Sequence, residues 1–246
     1  MSAADLPSPP PFEDLLAQAP LALFLDFDGT LVDLAQTPSA IVVPARFAKG
    51  LAGLSARLSG RLALVSGRSI DDLERHCGPL AVECAGSHGA ERRRSDGRAL
   101  GLPPEPLPER VLGEVDRFAR ENAVAYEAKP HGAALHSRTV PDMEERCALF
   151  MAELAAAHGL VLKRGKRVAE LVRPGADKGA AVREFMAGEP FIGAVPVFLG
   201  DDVTDEDGFA AAGDLGGFGI AVGSRPTQAA RYGLADPAAV QQWLAL

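Results

Sequence analysis

The sequence predicts an α/β protein in which a larger domain, built on a parallel sheet, is interrupted by a smaller α+β domain. Short apolar segments alternate with segments of helical spacing from residue 21 to residue 85, and the alternation returns after residue 174. Between these two parts, residues 101–108 contain four prolines, which are not tolerated inside helices or sheets. The segment after them has a different order of helices and strands.

The first part of the chain is predicted to be a β-α-β-α-β segment. Strands are predicted at residues 21–26, 62–65 and 80–85, because each is a largely apolar run too short for a helix. A helix is predicted over residues 44–58, where apolar residues recur every three or four positions after a proline, and a shorter one over residues 70–77. Strands joined by helices in this way pair in parallel.

The middle of the chain is predicted to form a small antiparallel sheet backed by two helices, in the order αββαββ. The predicted helices and strands cover residues 109–122, 124–128, 132–138, 141–158, 160–163 and 166–172. Residues 164–165, Arg-Gly, fit a hairpin turn between the last two strands. Proline and glycine residues occur where the chain enters and leaves this middle segment. Such connections suit a cap domain that opens and closes over a site, and the alternative is a rigid insertion.

The last part of the chain returns to the α/β pattern of the first. We predict helices and strands at residues 178–186, 195–199, 205–212 and 218–222, followed by C-terminal helices. The domain assignment is a Pro-rich N-terminal extension, a core domain in two pieces and a cap domain, at residues 1–20, 21–102 with 174–246, and 103–173.

Composition limits the classes of partner. The net charge of −8 disfavours nucleic acid. No stretch reaches transmembrane length, and the N-terminus lacks the cationic and apolar regions of a signal peptide. Cys77, Cys84 and Cys147 have no metal-binding spacing, which is typical of reduced thiols. We therefore expect a cytoplasmic, monomeric protein that binds neither nucleic acid nor membranes.

The most informative segment, Asp26-Phe27-Asp28-Gly29-Thr30, follows the first predicted strand. It places two carboxylates at the C-terminal end of that strand, where open α/β sheets bind ligands. Two neighbouring acids repel each other, so they require a cation or a reaction. Mg²⁺ and a phosphate ester would meet both requirements, with one aspartate attacking phosphorus and the other transferring a proton. The alternative is an acidic turn in which Gly29 only supplies a positive φ.

Three further residues have side chains suited to a phosphate group. Ser66, at the end of the second strand, can offer its hydroxyl and nearby backbone N–H groups to a phosphoryl oxygen, or it can be a helix N-cap. Arg68 can bind a substrate oxygen or a surface carboxylate. Lys178 opens a predicted helix, where its charge opposes the helix dipole. This conflict indicates either a functional site or a solvated surface lysine.

A second group of acids follows the strand predicted before residue 200. Mg²⁺ prefers oxygen ligands, and Asp26, a backbone carbonyl near Asp28, and Asp201 could supply three of them. Asp202 and Asp205 could hold water molecules on the ion, or Asp205 could cap the following helix. Acids at the ends of two parallel strands therefore predict a magnesium site.

Taken in order, these segments resemble the four sequence motifs of the haloacid dehalogenase superfamily. Asp26 and Asp28 match the first motif, Ser66 the second, Lys178 the third and residues 201–205 the fourth. The resemblance implies a Rossmann-like core, with Asp26 as nucleophile and Asp28 as general acid and base. It also implies that Lys178 offsets the charge of the nucleophile and the phosphoryl group.

Charged residues alternate along the strands predicted for the middle of the chain. Glu127 and Lys129 point the same way from one strand. Lys166 and Glu170 share a face of another strand, and Arg138 ends the partner of the first. A solvated face of mixed charge is the simplest explanation. Sugar hydroxyls also form strong hydrogen bonds with carboxylates and ammonium groups, so the face could bind a sugar.

Several segments, spread over about residues 21–225, are similar to the trehalose-6-phosphate phosphatases of bacteria and fungi, namely residues 86–91, 126–130, 138, 165–174 and 200–207. The similarity implies Mg²⁺-dependent hydrolysis of trehalose 6-phosphate through an aspartyl-phosphate. It also implies that the glucose rings are bound by Glu127, Lys129, Arg138, Lys166 and Glu170. His88 either lines the pocket or is a structural histidine. The alternative functions are a phosphatase for another sugar phosphate, a sugar phosphomutase, and a non-catalytic regulatory module.

Overall fold

Two separate β-sheets organise the chain in the computed structural model. The residues that the structure describes are 5–35, 37, 40–102, 105–129, 131–165 and 167–246. The chain divides into two units, one formed by Met1–Gly101 with Asp177–Leu246 and the other by Leu102–Ala176. The first unit holds a seven-stranded, mostly parallel sheet and the second a four-stranded antiparallel sheet. The predicted fold class is therefore confirmed.

The strands in chain order are β1 Leu21–Leu25, β2 Leu62–Val65, β3 Glu83–Gly86, β4 Glu91–Arg93, β5 Ala125–Lys129, β6 Gly132–His136, β7 Val161–Gly165, β8 Val168–Val172, β9 Val195–Gly200, β10 Phe218–Val222 and β11 Ala230–Leu234. The α-helices are α1 Phe12–Gln18, α2 Phe47–Arg57, α3 Ile70–Cys77, α4 Glu109–Glu121, α5 Glu144–His158, α6 Lys178–Met186, α7 Glu206–Asp214 and α8 Pro237–Leu244. Short 3-10 helices follow β3 and precede α5 and α7, at Ser87–Gly89, Pro141–Met143 and Val203–Asp205.

The sheet of the first unit has the strand order β11-β10-β9-β1-β2-β3-β4. Strand β1 lies at its centre and pairs in parallel with β9 on one side and β2 on the other. All five residues of β1 are buried, because helices cover both faces of a parallel sheet. The C-terminal ends of β9, β1 and β2 therefore meet at one edge, and the three segments with polar motifs leave the sheet there.

Alternate residues of each central strand face two different apolar layers. On one face, Leu23 and Leu25 pack in a cluster with residues of α2, α3 and α8. On the other face, Phe24 and Phe198 pack in a second cluster with α6 and α7. Burying each phenylalanine side chain of this second cluster stabilises the fold by roughly 2–3 kcal/mol. The two layers hold β1 and β9 rigidly beneath the loops that follow them.

The N-terminal segment contributes a helix to the first unit. Phe12 of α1 is buried, and its ring lies 5.1 Å from that of Trp243 of α8. The Trp243 indole N–H donates a hydrogen bond of 2.9 Å to the Pro10 carbonyl. Pro-rich composition gave no sign of this helix in the sequence.

The sheet of the second unit has the order β5-β6-β8-β7, with every neighbouring pair antiparallel. Helices α4 and α5 cover one face, where Val115 and Met151 pack with Leu135 and Leu171. The rings of Phe118 on α4 and Phe150 on α5 stack with their centroids 4.1 Å apart. The αββαββ order predicted for this part of the chain is confirmed.

Some predicted elements differ from the observed ones at sheet edges and turns. Strand β3 begins at Glu83, and β4 and β11 form the two edges of the large sheet. Only one helix, α8, follows β11, so the predicted C-terminal helices are partly wrong for the residues described. The Arg-Gly turn predicted at residues 164–165 is also wrong, because β7 continues to Gly165, which pairs with Val168. Arg167 has the positive φ of a turn residue, +61°.

No helix in the described part of the chain combines the length and apolarity needed to cross a bilayer.

Candidate active site

Three carboxylates meet at the C-terminal edge of the large sheet. Asp26 follows β1, and Asp201 and Asp205 follow β9, the strand beside it. One oxygen from each of the three side chains lies within 4.8 Å of the other two. Asp205 is fully buried and Asp26 is 4% exposed. Such a group of buried oxygens suits a hard divalent cation.

Lys178 is the cation that the structure itself supplies to this group. Its Nζ donates hydrogen bonds of 2.6 Å to Asp26 Oδ1 and 2.6 Å to Asp205 Oδ1. It is the first residue of α6, whose N-cap Asp177 accepts a hydrogen bond from the backbone N–H of Ala180. Lys178 is buried, so the alternative of a solvated surface lysine does not apply.

The charges of the group shift the pKa values of its members. Burial alone would lower the pKa of Lys178, but the negative charges of Asp205 and Asp26 outweigh it and raise this pKa, so the ammonium stays protonated. Burial, opposed by Lys178, holds the pKa of Asp26 well above its usual range. Burial and the charges of Asp205 and Asp202 raise the pKa of Asp201 to about 7. The single positive charge of Lys178 is smaller than the negative charge that the three acids carry when ionised. A bound cation would therefore be stabilised at this site.

Two glycines allow the carboxylates to approach the backbone this closely. Gly29 has a φ of +83°, and a Cβ atom there would lie 2.2 Å from Asp201 Oδ2. A Cβ atom at Gly200 would lie 2.2 Å from Asp205 Cγ. Gly29 therefore provides both a turn conformation and space for an acid of the group.

Replacing Gly29 with alanine is expected to lower kcat/KM for hydrolysis of a phosphate ester about a hundredfold. The added methyl would displace the Asp201 carboxylate, and alanine would be strained at the positive φ of this position. Steady-state kinetics and thermal unfolding would measure the effect. The matched control is Gly53→Ala in α2, where a Cβ atom meets nothing within 4 Å. This control is expected to keep wild-type activity and to be about 0.5–1 kcal/mol more stable. Equal activity of the two variants would contradict the spatial role of Gly29.

The carboxylate of Asp28 does not join the acidic group. It forms a two-pronged ion pair with Arg68, with Nε 2.6 Å from Oδ2 and Nη2 2.8 Å from Oδ1. Arg68 Nη1 also donates to Asp72 at 2.6 Å. The sequence left open whether Arg68 binds substrate or a surface carboxylate, and its partners here are carboxylates, one of them the predicted acid and base. The predicted role of Asp28 as a metal ligand through a backbone carbonyl stays a prediction.

Ser66 follows β2, the parallel neighbour of β1, and is 1% exposed. Its hydroxyl accepts a hydrogen bond of 3.1 Å from the backbone N–H of Arg68. The N-cap of α3 is Ser69, so the alternative of Ser66 as an N-cap is wrong. His88, predicted either to line the pocket or to be structural, packs its ring on Gly67 and donates its backbone N–H to the Ser66 carbonyl at 2.9 Å. In this structure His88 therefore supports the turn that carries Ser66.

Asp202 and Asp205 form a reciprocal cap at the start of the 3-10 helix Val203–Asp205. The Asp202 carboxylate accepts the backbone N–H of Val203 at 2.7 Å, and Asp205 Oδ2 accepts the backbone N–H of Asp202 at 2.8 Å. Asp205 thus caps this turn and also belongs to the acidic group through its other oxygen. Asp202 is not one of the three acids whose side-chain oxygens lie together. Its predicted role of holding water molecules on the ion stays a prediction.

Sequence reasoning assigned no role to Thr30, although it lies in the first motif. Its hydroxyl donates to Asp26 Oδ2 at 3.0 Å, while Lys178 donates to Oδ1. Both oxygens of Asp26 are therefore held in place. The sequence could have indicated this contact. A threonine four residues after an aspartate in a tight turn is well placed to donate a hydrogen bond to that aspartate.

Three of the charged residues predicted in the second unit, Glu127, Lys129 and Glu170, share the sheet face opposite to α4 and α5. Glu127, Glu170 and Lys163 lie in one row across the sheet, joined through Ala134 of β6. Lys129 Nζ lies 2.7 Å from Glu170 Oε2, and Glu170 is 3% exposed. Glu127 and Lys129 therefore face the same way, as the alternation of the strand predicted, and the register of the strands puts Glu170 on the same face.

His136 and Lys163 on this face were missed by sequence reasoning. His136 Nε2 lies 2.7 Å from Glu127 Oε2, and this contact, with the charge of Lys129, outweighs burial and lowers the pKa of Glu127. Lys163 pairs with Glu170, and His136 lies two positions after Ala134, which pairs with Glu127. The two-residue period of a strand therefore puts both side chains on this face. Arg138 is half-buried and follows the end of β6. Lys166 lies outside the residues that the structure describes.

Known proteins similar to this chain agree on one family. The sequence matches the model of the trehalose-phosphatase family over residues 24–237. It is 37% identical over 232 residues to the trehalose-6-phosphate phosphatase of Escherichia coli (strain K12), covering 92% of this chain and 86% of the relative. It is 40% identical over 205 residues to a probable trehalose-phosphate phosphatase of Sinorhizobium fredii, covering 82% of this chain and 77% of the relative.

Solved structures agree with these relatives in fold. The C-terminal domain of C. albicans trehalose-6-phosphate phosphatase is similar with a TM-score of 0.82 and 22% identity, over 98% of both chains. A trehalose-6-phosphate phosphatase related protein is similar with a TM-score of 0.71 and 27% identity, over 91% of this chain and 95% of the other. The resemblance that the motifs indicated is confirmed, and the chain belongs to the trehalose-phosphatase family.

Proposed function

We propose that this chain hydrolyses trehalose 6-phosphate to trehalose and inorganic phosphate, with Asp26 carrying the phosphoryl group between two steps. The observation that carries the proposal is the buried Asp26 carboxylate, held by Lys178 and Thr30 beside two further acids. The named relatives act on the same substrate according to their names, and the chain shares their family.

In the first step, a carboxylate oxygen of Asp26 attacks phosphorus, and the bond from phosphorus to the sugar oxygen breaks. A phosphate ester is an anion and repels a carboxylate, so positive charge at the nucleophile lowers the barrier. Lys178 supplies such a charge in a buried place, where it is poorly screened. Asp28 gives the leaving sugar oxygen its proton.

Both side-chain oxygens of Asp28 accept hydrogen bonds from Arg68, so Asp28 can reach the leaving oxygen only after one of these contacts has opened. In the second step, Asp28 is ionised again and takes a proton from the attacking water. The water oxygen bonds to phosphorus, the bond from phosphorus to Asp26 breaks, and phosphate leaves. Asp26 is then a carboxylate again, and the charges balance over the two steps.

Magnesium fits the donors at this site. Asp26 and Asp205, which are buried, and Asp201, which is half-buried, offer carboxylate oxygens to the ion. Three acids with one lysine leave room for the charge of a divalent cation. The carbonyl near Asp28 would add a neutral ligand. When bound, the ion supplies positive charge that stabilises the transferring phosphoryl group.

The polar face of the second sheet is proposed to bind the two glucose rings. Each sugar hydroxyl both donates and accepts hydrogen bonds, and Glu127, Lys129 and Glu170 offer both kinds of partner on one face. Arg138 and Lys166 are proposed to add donors. The free thiols of the chain support the proposed cytoplasmic location, and a monomer is the form we expect.

Phosphate release from trehalose 6-phosphate, sucrose 6-phosphate, glucose 6-phosphate and p-nitrophenyl phosphate, with Mg²⁺ and with EDTA, tests the proposal. We expect trehalose 6-phosphate to have the highest kcat/KM and EDTA to abolish its hydrolysis. A higher kcat/KM for another sugar phosphate would overturn the proposed substrate. Little phosphate release, together with a need for a sugar bisphosphate, would indicate a phosphomutase.

Replacing Glu170 with glutamine is expected to raise KM for trehalose 6-phosphate about tenfold, because a charge-assisted hydrogen bond to the sugar is lost. Hydrolysis of p-nitrophenyl phosphate, which has no sugar, is expected to be unaffected. The matched control is Glu153→Gln on the exposed side of α5, which should leave both substrates unchanged. An equal change in KM for both substrates would remove Glu170 from sugar recognition.

A further inference from the structure

The loop between β10 and β11 contacts the segment that carries Asp201, and these contacts converge on two residues that the mechanism does not use. We propose that Arg225, held by Glu206, positions the backbone of Asp201 and Asp202 so that the Asp201 carboxylate is presented to a divalent cation. Both are positioning residues and neither is expected to touch substrate. The inference rests on the proposed magnesium site and extends it to residues outside the acidic group.

Arg225 donates hydrogen bonds to two consecutive carbonyls after β9. Its Nε lies 3.2 Å from the carbonyl oxygen of Asp201, and its Nη2 lies 3.0 Å from that of Asp202. Strands β9 and β10 are parallel neighbours, so the loops that follow them leave the sheet at the same edge. A planar guanidinium bound to two adjacent carbonyls fixes the orientation of both peptide groups.

Glu206, the first residue of α7, holds Arg225 in this place. Its Oε1 accepts from Arg225 Nη2 at 2.6 Å, and its Oε2 accepts the backbone N–H groups of Gln228 at 3.1 Å and Ala229 at 3.0 Å. One carboxylate thus ties the arginine and its loop to the start of α7. The acid is also well placed at a helix N-terminus, where the dipole favours negative charge.

The acidic group requires such a restraint. Asp201 is half-buried beside the buried Asp26 and Asp205, and repulsion between the carboxylates favours moving the Asp201 segment away. The Asp201 carboxylate lies against Gly29, where a Cβ atom would be 2.2 Å from its Oδ2. Arg225 opposes this movement through the backbone and leaves the Asp201 carboxylate itself available to a cation.

Isothermal titration calorimetry with Mg²⁺ alone, on the full chain, tests the proposal. We expect Arg225→Ala to weaken Mg²⁺ binding about tenfold, as loss of a residue that orients a metal ligand typically does. Arg225→Lys should bind with intermediate affinity, because one ammonium cannot reach both carbonyls and Glu206. The Mg²⁺-induced rise in melting temperature should shrink in the same order. At saturating Mg²⁺, KM for trehalose 6-phosphate should stay near the wild-type value.

The matched control is Arg183→Ala, which removes the ion pair of Arg183 with Asp214 at the other end of α7. This control is expected to bind Mg²⁺ like the wild type. Wild-type Mg²⁺ affinity in both Arg225 variants, or an equal loss in Arg183→Ala, would overturn the proposal. A lowered melting temperature with unchanged Mg²⁺ affinity would also overturn it, because it would show a structural role alone. Failure of the wild type to hydrolyse trehalose 6-phosphate would refute the proposed function and leave this comparison intact.

Discussion

Replacing Asp26 with asparagine is expected to abolish turnover while the fold survives. The amide is a poor nucleophile, so kcat should fall by about 10⁴-fold or more. The side chain keeps the shape of aspartate, and its oxygen can still accept a hydrogen bond from Lys178. Burial, together with repulsion from Asp205 and Asp201, raises the pKa of Asp26 in the wild type, and the neutral amide avoids both costs. We therefore expect a melting temperature no lower than that of the wild type.

Phosphate release and thermal unfolding, measured on the same preparation, would check this expectation. Asp71→Asn is the matched control, since Asp71 is an exposed acid in the first turn of α3. It should retain wild-type activity. If Asp26→Asn releases phosphate at the wild-type rate, Asp26 is not the nucleophile.

Replacing Lys178 with methionine is expected to lower both activity and stability. Without the ammonium, the buried carboxylates of Asp26 and Asp205 lose their ion pairs with Lys178. Removing one partner of a buried ion pair costs about 3–5 kcal/mol in the free energy of unfolding. The loss of positive charge at the reacting phosphoryl group should lower kcat by about 10²–10³-fold.

Urea unfolding in EDTA measures the stability effect without competition from a metal ion. The double variant Lys178→Met with Asp205→Asn should regain part of the lost stability, because it removes one of the two uncompensated charges. Lys49→Met, at an exposed position of α2, is the matched control and should unfold like the wild type. Wild-type stability of Lys178→Met would mean that Lys178 does not neutralise the acidic group.

The acidic group of the site was predictable from the sequence because it depends on topology. Asp26 follows β1, and Asp201 and Asp205 follow β9, and the ends of neighbouring parallel strands meet at one edge. The pairing of Asp28 with Arg68 was not predictable in this way. It joins side chains forty positions apart in two loops, and its geometry depends on the path of both.

The edges of the large sheet were missed for a physical reason. Strand β4 has the sequence Glu-Arg-Arg and is half-buried, so it lacks the apolar run that marks a central strand. Strand β11 is also a half-exposed edge strand. In the second unit, alternation along β5 correctly placed Glu127 and Lys129 on one face, because the side-chain period of a strand is fixed at two. That Glu170 of β8 lies on the same face depends on the register of the strands.

The roles of Arg225 and Glu206 depend on hydrogen bonds to backbone groups, which a sequence does not display. Glu206 is one of several acids in the segment after β9. Its hydrogen bonds to Arg225 and to the backbone N–H of Gln228 distinguish it from them. Arg225 lies in a loop with no motif. Tertiary structure alone brings the two together.

The central claim is that Asp26 becomes covalently phosphorylated, and chemical trapping tests it most directly. The enzyme would be mixed with trehalose 6-phosphate and Mg²⁺, quenched in acid within one turnover, reduced with borohydride and digested for mass spectrometry. Borohydride reduces an acyl phosphate to an alcohol, so we predict homoserine at position 26 and unmodified aspartate at position 28. Homoserine at another position, or its absence from a quenched sample that contains newly released trehalose, would contradict the account.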